Sequence, residues 1–184
     1  NQIVSHCYKL LRDIGRIRNI LSKKHTETLI HAVISSRIDY CNSLFMNLNK
    51  SSIYKLQKVQ NSAARMIERM KKHQSVSETM KNLHWLNVEA RIIFKILLLV
   101  HKCITNKCSE NLEITYKNYN CRPQDDMQLV AYNPKTKYGK RVFDYTGPRL
   151  WNELPLNIRT ETNINKFKTN VKTILFEGSV ELKR

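Results

Sequence analysis

Glycine and proline are scarce in this sequence, which contains only four of each in 184 residues. The glycines are scattered, so the chain lacks the Gly-rich loop that holds phosphates in nucleotide-binding enzymes. Long apolar runs are lacking as well. The most apolar stretch, residues 92–100, contains Lys95 and ends before His101. It is far too short to cross a bilayer. We interpret it as a buried core helix and expect no membrane partner.

Acidic residues are the next shortage. The chain has 15 Asp and Glu against 32 Lys and Arg, a formal net charge of +17. This excess extends from end to end, and 41% of the residues are hydrophobic, enough to build a core. A folded, basic chain of this kind most often binds nucleic acid, and an anionic membrane surface is the second class of partner.

Cysteine usage indicates the cellular compartment. The five cysteines are odd in number and irregularly spaced, which does not suit a disulfide framework. The opening stretch NQIVSHCYKLLRDIG is amphipathic and charged, unlike a secretory signal. We therefore expect an intracellular protein, in the nucleus or the cytoplasm. Because the helical pattern starts directly at Asn1, we also expect the chain to be a piece of a longer protein.

Apolar residues recur at helical spacing over most of the chain, which predicts a mainly α fold. We expect a helical bundle in residues 1–72 and a basic C-terminal region in residues 73–184 that includes a subdomain around Trp151. Two short strands are predicted in MQLVAYNP and GKRVFDYTG, so the C-terminal part is expected to have a small β component.

Three local signals are specific enough to test. Asn87 is the predicted N-cap of the apolar helix, and Asn163 is the predicted N-cap of the last helix, because an Asn side chain accepts a bond from an otherwise unpaired backbone N–H. His84 beside Trp85 is interpreted as a packed corner rather than a general base.

The stretch from Ser51 to Lys72 is the clearest single helix. Ser51 or Ser52 is its expected N-cap. Its apolar residues fall on an arc of roughly 140° at about 100° per residue: Ile53, Leu56, Val59, Ala63, Ala64, Ile67 and Met70. An arc of roughly 100° on the opposite side contains cations: Lys55, Lys58, Arg65, Arg69 and Lys72. Glu68 is the only acid in the run.

Two interpretations fit this cationic face. A solvated charged face is the simpler one, but such faces usually mix signs, since Glu–Lys pairs at i,i+4 add about 0.2–0.5 kcal/mol each. Here mixing is almost absent, and the cations repel one another unless a polyanion is nearby. We therefore predict that these five side chains follow the phosphates of a nucleic acid.

The sequence offers a single candidate pair of catalytic carboxylates. Asp125 and Asp126 are the only adjacent acids. Two-metal polymerases use paired carboxylates to hold ions about 4 Å apart. In reverse transcriptases that pair follows an aromatic residue and one spacer, whereas here it lies in the polar stretch RPQDDM. We interpret the two residues as loop acids.

Zinc has one candidate set, His101, Cys103, Cys108 and Cys121. Their separations, with one, four and twelve intervening residues, fit no common zinc finger or ribbon. His101 and Cys103 would also lie on different faces of one helix. We interpret these cysteines as reduced and partly buried, and expect neither a metal nor a cofactor.

Five stretches together resemble one family. They are SRIDYCNSLF, IYKLQKVQNSAARMI, LHWLNVEARIIFKILLLVHK, YGKRVFDYTGPRLWNELPLNIR and INKFKTNVKTILF. In order and spacing they are similar to the C-terminal part of the polyprotein of LINE-type non-LTR retrotransposons, the Jockey-like group. The resemblance covers nearly the whole chain.

The resemblance implies that residues 1–72 form a helical thumb-like bundle and that the remainder is the C-terminal region of a reverse transcriptase. It implies that Lys55, Lys58, Arg65 and Arg69 follow the backbone of the template–product duplex. It also implies that the signature of the last subdomain consists of Tyr138, Gly139, Phe143, Pro148, Leu150, Trp151, Asn152, Leu154 and Pro155. The catalytic palm, the fingers and the endonuclease of such proteins have no counterpart here.

The expected function is therefore that of a C-terminal fragment of an RNA-directed DNA polymerase, which binds nucleic acid backbone and lacks the catalytic palm. The partner is RNA, DNA or a hybrid duplex, together with the upstream palm and fingers of the parent polymerase. The alternative is a non-catalytic, domesticated remnant that acts as a helical protein–protein adaptor with an acidic partner.

The chain alone is expected to have neither polymerase nor nuclease activity, because the paired carboxylates of a two-metal site are missing. The assay uses purified protein with primer–template, deoxynucleotides and Mg²⁺ or Mn²⁺. Incorporation that disappears in the Asp125→Ala/Asp126→Ala variant would contradict this prediction and make the two loop acids catalytic.

Overall fold

The computed structural model describes residues 2–46, 48–105, 114, 127–136, 139 and 142–178. Its contacts divide the chain into two compact units, Asn1–Ile92 and Ile93–Arg184. The boundary falls inside one helix, which contributes residues to both units. Each unit is described by itself.

The regular secondary structure of unit 1 is helical in its described residues. Its helices are Gln2–Ile17 (α1), Lys23–Ile30 (α2), Ser36–Asp39 (α3), Lys50–Glu68 (α4), Ser77–Asn82 (α5) and the first residues of Val88–Ile104 (α6). A π-helical turn, His31–Ser35, joins α2 to α3. A 3-10 turn, Asn42–Phe45, precedes α4. Helices α1, α2 and α5 all pack against α4, which is the central element of the unit.

The buried face of α4 matches the predicted apolar arc with one addition, Gln60, and one omission, Met70, which is half-buried and lies beyond the end of the helix. Its buried residues are Ile53, Leu56, Val59, Gln60, Ala63, Ala64 and Ile67. Gln60 is polar but only 1% exposed, and its Nε2 donates to the Leu86 carbonyl oxygen at 2.8 Å. The neighbouring Gln57 accepts a bond from the Val88 backbone N–H at 2.8 Å. The two amides therefore attach the start of α6 to α4.

Both ends of α4 differ from the prediction. Asn49 is the N-cap, and its Oδ1 accepts from the Ser52 N–H at 2.8 Å, so Ser51 and Ser52 already lie inside the helix. The helix stops after Glu68 because Arg69 adopts the left-handed conformation, with φ at 55°. Met70 N–H then bonds back to the Arg65 carbonyl at 3.0 Å, which closes the helix end. The sequence gives no sign of this end, because the residue that ends a helix in the left-handed conformation is usually Gly and here it is Arg69.

The connection from α5 to α6 confirms one local prediction and part of another. His84 has φ at 52°, and the following Trp85 is 6% exposed and donates its backbone N–H to the Met80 carbonyl at 2.9 Å. Trp85 is packed as predicted, whereas His84 is exposed, and the histidine ring that contacts Trp85 is that of His31 at 5.1 Å. Asn87 caps α6, since its Oδ1 accepts from the Ala90 N–H at 2.7 Å.

Unit 2 continues from α6 and contains three further helices in its described residues. They are Phe143–Asn152 (α7), Leu156–Arg159 (α8) and Ile164–Glu177 (α9). As predicted, Asn163 caps α9, accepting bonds from the N–H groups of Asn165 and Lys166. Trp151 and Phe167, both fully buried, stack with centroids 5.7 Å apart at the centre of this unit.

The strand predicted in GKRVFDYTG is wrong for residues 143–147, which belong to helix α7, whereas Lys140 and Arg141 lie outside the described residues. Pro148 lies within α7 and has no N–H to donate to the Asp144 carbonyl. That carbonyl instead accepts the Tyr132 N–H at 3.4 Å. Gly147 allows α7 to approach α6 closely, because a Cβ there would lie 2.9 Å from a Val100 methyl carbon. Tertiary packing thus stabilises a helix that local sequence disfavours.

In the other predicted strand, MQLVAYNP, Leu129 forms a single β-bridge and its backbone also bonds a side chain. Asn152 accepts from the Leu129 N–H and donates to the Leu129 carbonyl, both at 2.9 Å. The Trp151 indole N–H donates to the Met127 carbonyl at 3.0 Å. The end of α7 therefore supplies the bonds that a neighbouring strand would supply.

The mainly α fold is confirmed, whereas the described residues include no β-strand, so the expected β component is not observed among them. None of the helices described is both long enough and apolar enough to cross a membrane. The functional division expected at residue 72 stays a prediction, and the compact units meet at a different point, between Ile92 and Ile93.

The capping of α4 makes a stability prediction. Asn49→Ala should lower the free energy of unfolding by about 1 kcal/mol, because the Ser52 N–H loses its acceptor. Ser51→Ala is the matched control, and should change stability by less than about 0.5 kcal/mol. Denaturant unfolding followed by circular dichroism measures both. Equal losses in the two variants would contradict the assignment of the cap to Asn49.

Candidate nucleic-acid interface

The solvent face of α4 carries a band of polar side chains that we call the α4 strip. It consists of Ser51, Tyr54, Lys55, Lys58, Ser62 and Arg65. At about 100° per residue these positions fall on an arc of roughly 100°, opposite the buried face. The first four are exposed and the last two are half-buried. The strip contains no acid, so its charge is positive along its whole length.

Lys55 and Lys58 are cations of the strip that form no ion pair with a carboxylate in the described part of the chain. Both ammonium groups are carried by exposed residues, and Lys58 Nζ lies 4.6 Å from the centroid of the Tyr54 ring. Such a cation–π contact contributes about 0.5–1 kcal/mol at an exposed site. It also holds the Lys58 chain along the helix, with its charge beside an aromatic surface.

Tyr54 was missed by the sequence analysis, which considered only the charges on this face. The residue is 60% exposed. An exposed ring beside cations is typical of surfaces that bind nucleic acids, where phosphates meet the cations and bases stack on the ring. An aromatic residue interleaved with lysines was the sequence signal for it.

The Arg65 side chain forms hydrogen bonds within unit 1. Its Nε and Nη2 donate to the Gln74 carbonyl oxygen at 3.2 and 3.1 Å. The Gln74 side chain in turn accepts the Lys71 N–H at 2.7 Å. Arg65 therefore holds the segment after α4 against the helix. Since a guanidinium has five N–H donors, others remain after these two bonds, but the side chain is less available to a ligand than Lys55 or Lys58.

Arg69 and Lys72 were predicted on the same helix face and lie outside the helix. Arg69 terminates α4 in the left-handed region, which costs a non-Gly residue about 1–2 kcal/mol. Lys72 follows in the exposed segment between α4 and α5. The prediction of five cations along one face is therefore wrong for these two residues, because the helix ends before them. Both side chains are exposed and extend the positive charge beyond the strip.

Two cations at the same end of α4 were not identified from sequence. Arg18, in the turn after α1, donates from Nη2 to the Ile67 carbonyl at 3.0 Å. Lys23, at the start of α2, pairs with Glu68 at 2.6 Å. Burial, and secondly the charge of Arg69, lower the pKa of the Arg18 guanidinium below its usual value. The contact with Ile67 spans 49 positions, which no local pattern encodes.

Of the candidate metal ligands, only His101 and Cys103 lie within the described residues. His101 is 1% exposed, its Nε2 lies 2.9 Å from the Glu161 carbonyl oxygen, and its ring stacks on Phe167 at 4.3 Å. It is thus part of the core of unit 2. Cys108, Cys121 and the acid pair Asp125–Asp126 lie outside the described residues. Within the residues that are described, no three His, Cys, Asp or Glu side chains gather as metal ligands would.

Comparison with known proteins adds no identification: no protein-family model, curated protein or solved structure matches the chain.

Proposed function

We propose that this chain is the thumb and C-terminal region of a LINE-type RNA-directed DNA polymerase, and that it binds the sugar–phosphate backbone of the template–product duplex through the α4 strip. The main observation behind the proposal is that one face of α4 is exposed and contains no acid, while its opposite face is buried in the core of unit 1. The sequence resemblance supports the choice of parent enzyme, and the exposed cationic face of α4 supports the choice of binding surface.

The charge arrangement favours a polyanion over bulk solvent as the partner of this face. Lys55 and Lys58 lie about one turn apart, roughly 5 Å along the axis at 1.5 Å per residue. Two like charges at this distance destabilise each other modestly in water, and a phosphate chain removes that penalty. Among the described residues no ion pair joins Lys55 or Lys58 to a carboxylate, and two acids of unit 1 have other partners, since Glu68 pairs with Lys23 and Asp39 with Arg91.

The same geometry favours backbone contacts over base contacts. A thumb must hold a duplex while the duplex slides, and contacts to phosphates position a protein without reading sequence. Flexible ammonium groups on a straight helix face suit this task. We therefore expect binding that tolerates any sequence and weakens steeply as salt concentration rises.

An adaptor with an acidic protein partner is the alternative function. It would use the same cations, but an acidic protein lacks the dense counterion atmosphere of a nucleic acid. Salt-dependent binding to plain duplex therefore separates the two functions.

The prediction concerns the salt dependence of binding. In Lys55→Gln/Lys58→Gln, the slope of log K against log salt concentration should flatten by about 1.8, since each phosphate contact contributes about 0.9. The fold should be unaffected, because neither side chain is on the buried face. The measurement is a titration of a fluorescent RNA–DNA hybrid at several salt concentrations.

Lys9→Gln/Lys81→Gln is the matched control, because it removes the same charge from exposed positions on α1 and α5. Its slope should remain close to that of the unmodified chain. If the control flattened the slope as much as the Lys55/Lys58 variant, binding would depend on total charge, and the α4 strip would no longer be the interface. If the unmodified chain did not bind duplex, the polymerase proposal would be abandoned for the adaptor.

A further inference from the structure

A cleft of about 360 Å³ opens near the start of α4, within unit 1. Its walls come from the first turn of α1, from the end of the 3-10 turn and the residues after it, and from the first two turns of α4. Five of its lining residues are apolar: Ile3, Val4, Phe45, Leu48 and Leu56. Ligand sites in proteins are clefts of about 300–1,000 Å³ with mainly apolar walls, so both the size and the lining fit a small ligand.

The apolar walls of this cleft are only partly covered by the protein itself. Ile3 is 40% exposed and Leu48 is 36% exposed, while Val4 and Phe45 are half-buried. A single exposed apolar side chain needs no explanation, but these four line one concavity, where a ligand contacts them together. Removing this shared apolar surface from water favours a ligand with an apolar body.

The polar groups of the cleft indicate the charge of its ligand. Lys55 contributes the only charge among the described lining residues, and Ser52 and Gln2 contribute a hydroxyl and an amide. In the part of the chain that the structure describes, Lys55 forms no ion pair with a carboxylate. The cleft is therefore complementary to a ligand that joins an apolar body to one negative charge.

We propose that this cleft, which we call the α4 cleft, binds a small amphipathic carboxylate. The apolar body lies against the walls, and the carboxylate accepts charge-assisted hydrogen bonds from the Lys55 ammonium group. The cleft is at the small end of the range for ligand sites, whereas a bound protein helix lays several apolar anchors along a groove. These dimensions favour a free carboxylate over a segment of an acidic protein.

Octanoate is the probe, and 1-octanol, which has the same chain length without the charge, is its matched ligand. In two-dimensional NMR of the whole chain, octanoate should shift the backbone amide signals of Val4, Ser52 and Leu56. It should bind about fivefold more tightly than octanol, as expected for one exposed ion pair. Equal affinities, or octanoate shifts spread over the whole basic surface, would overturn the proposal. If neither ligand shifted these signals, the proposal would also fail, and the cleft would be left to a protein partner.

Substitutions separate the charge from the cavity. Lys55→Gln should lower octanoate affinity about fivefold and leave octanol affinity unchanged. Lys58→Gln is the matched control, because it removes the same charge about one turn away from a residue that does not line the cleft. Val4→Phe should weaken both ligands alike by filling the cleft, with circular dichroism to verify the fold. Equal losses of octanoate affinity in Lys55→Gln and Lys58→Gln would overturn the assignment of the carboxylate to Lys55.

Lys55 also belongs to the α4 strip, so a bound carboxylate would compete with the duplex for it, a consequence that rests on the proposed function. Saturating octanoate should flatten the salt slope with the RNA–DNA hybrid by about 0.9, one phosphate contact, and octanol should not. An unchanged slope with octanoate bound in the cleft would count against the strip and leave the cleft site standing. If octanoate did not bind but Lys55→Gln/Lys58→Gln still flattened the slope, the cleft proposal would fail and the proposed function would survive.

Discussion

The burial of one face of α4 is the constraint on which the rest of the account depends. A helix that buries residues from Ile53 to Ile67 cannot rotate about its axis without exposing them. Two amides add direction to this packing, because Gln60 and Gln57 bond the backbone at Leu86 and Val88. Loss of a buried partner of this kind costs about 1–3 kcal/mol. With its rotation fixed, α4 has only one face left for solvent.

The charge of this solvent face then depends on which cations form ion pairs with the acids of unit 1. Asp39 binds Arg91, with Nε–Oδ1 at 2.9 Å and a second bond from Nη2 to Oδ2. Glu68 binds Lys23 at the end of the central helix. In the described residues no carboxylate forms an ion pair with Lys55 or Lys58. The ion pairs that stabilise unit 1 thus leave these two charges on the solvent face of α4.

The sequence predicted the parts of the fold that depend on local periodicity. The existence of α4, its buried face and the caps Asn87 and Asn163 all follow from side chains within a few residues of one another. Helix α7 could not be predicted in this way, because Pro148 and Gly147 disfavour a helix locally and the compensating contacts come from Tyr132 and Val100. The predicted end of α4 was wrong for a related reason, since nothing in the sequence around Arg69 indicates a left-handed conformation.

The candidate site shows the same division. Lys55 and Lys58 follow from helical spacing, whereas the use of Arg65 by Gln74 and of Arg18 by Ile67 depends on how the chain folds back. Periodicity thus predicted correctly that Lys55, Lys58 and Arg65 lie on the polar face of α4, but not where the helix ends or which cations bond within the protein.

Lysine acetylation footprinting tests the central claim most directly, because it reports the accessibility of individual ammonium groups in the folded chain. The protein is treated with an acetylating reagent with and without an RNA–DNA hybrid, and modification is quantified by mass spectrometry. The account predicts that the hybrid protects Lys55 and Lys58, while Lys9 and Lys81 react equally in both samples. Protection of Lys9 and Lys81 with Lys55 and Lys58 still reactive would show that α4 does not face the nucleic acid.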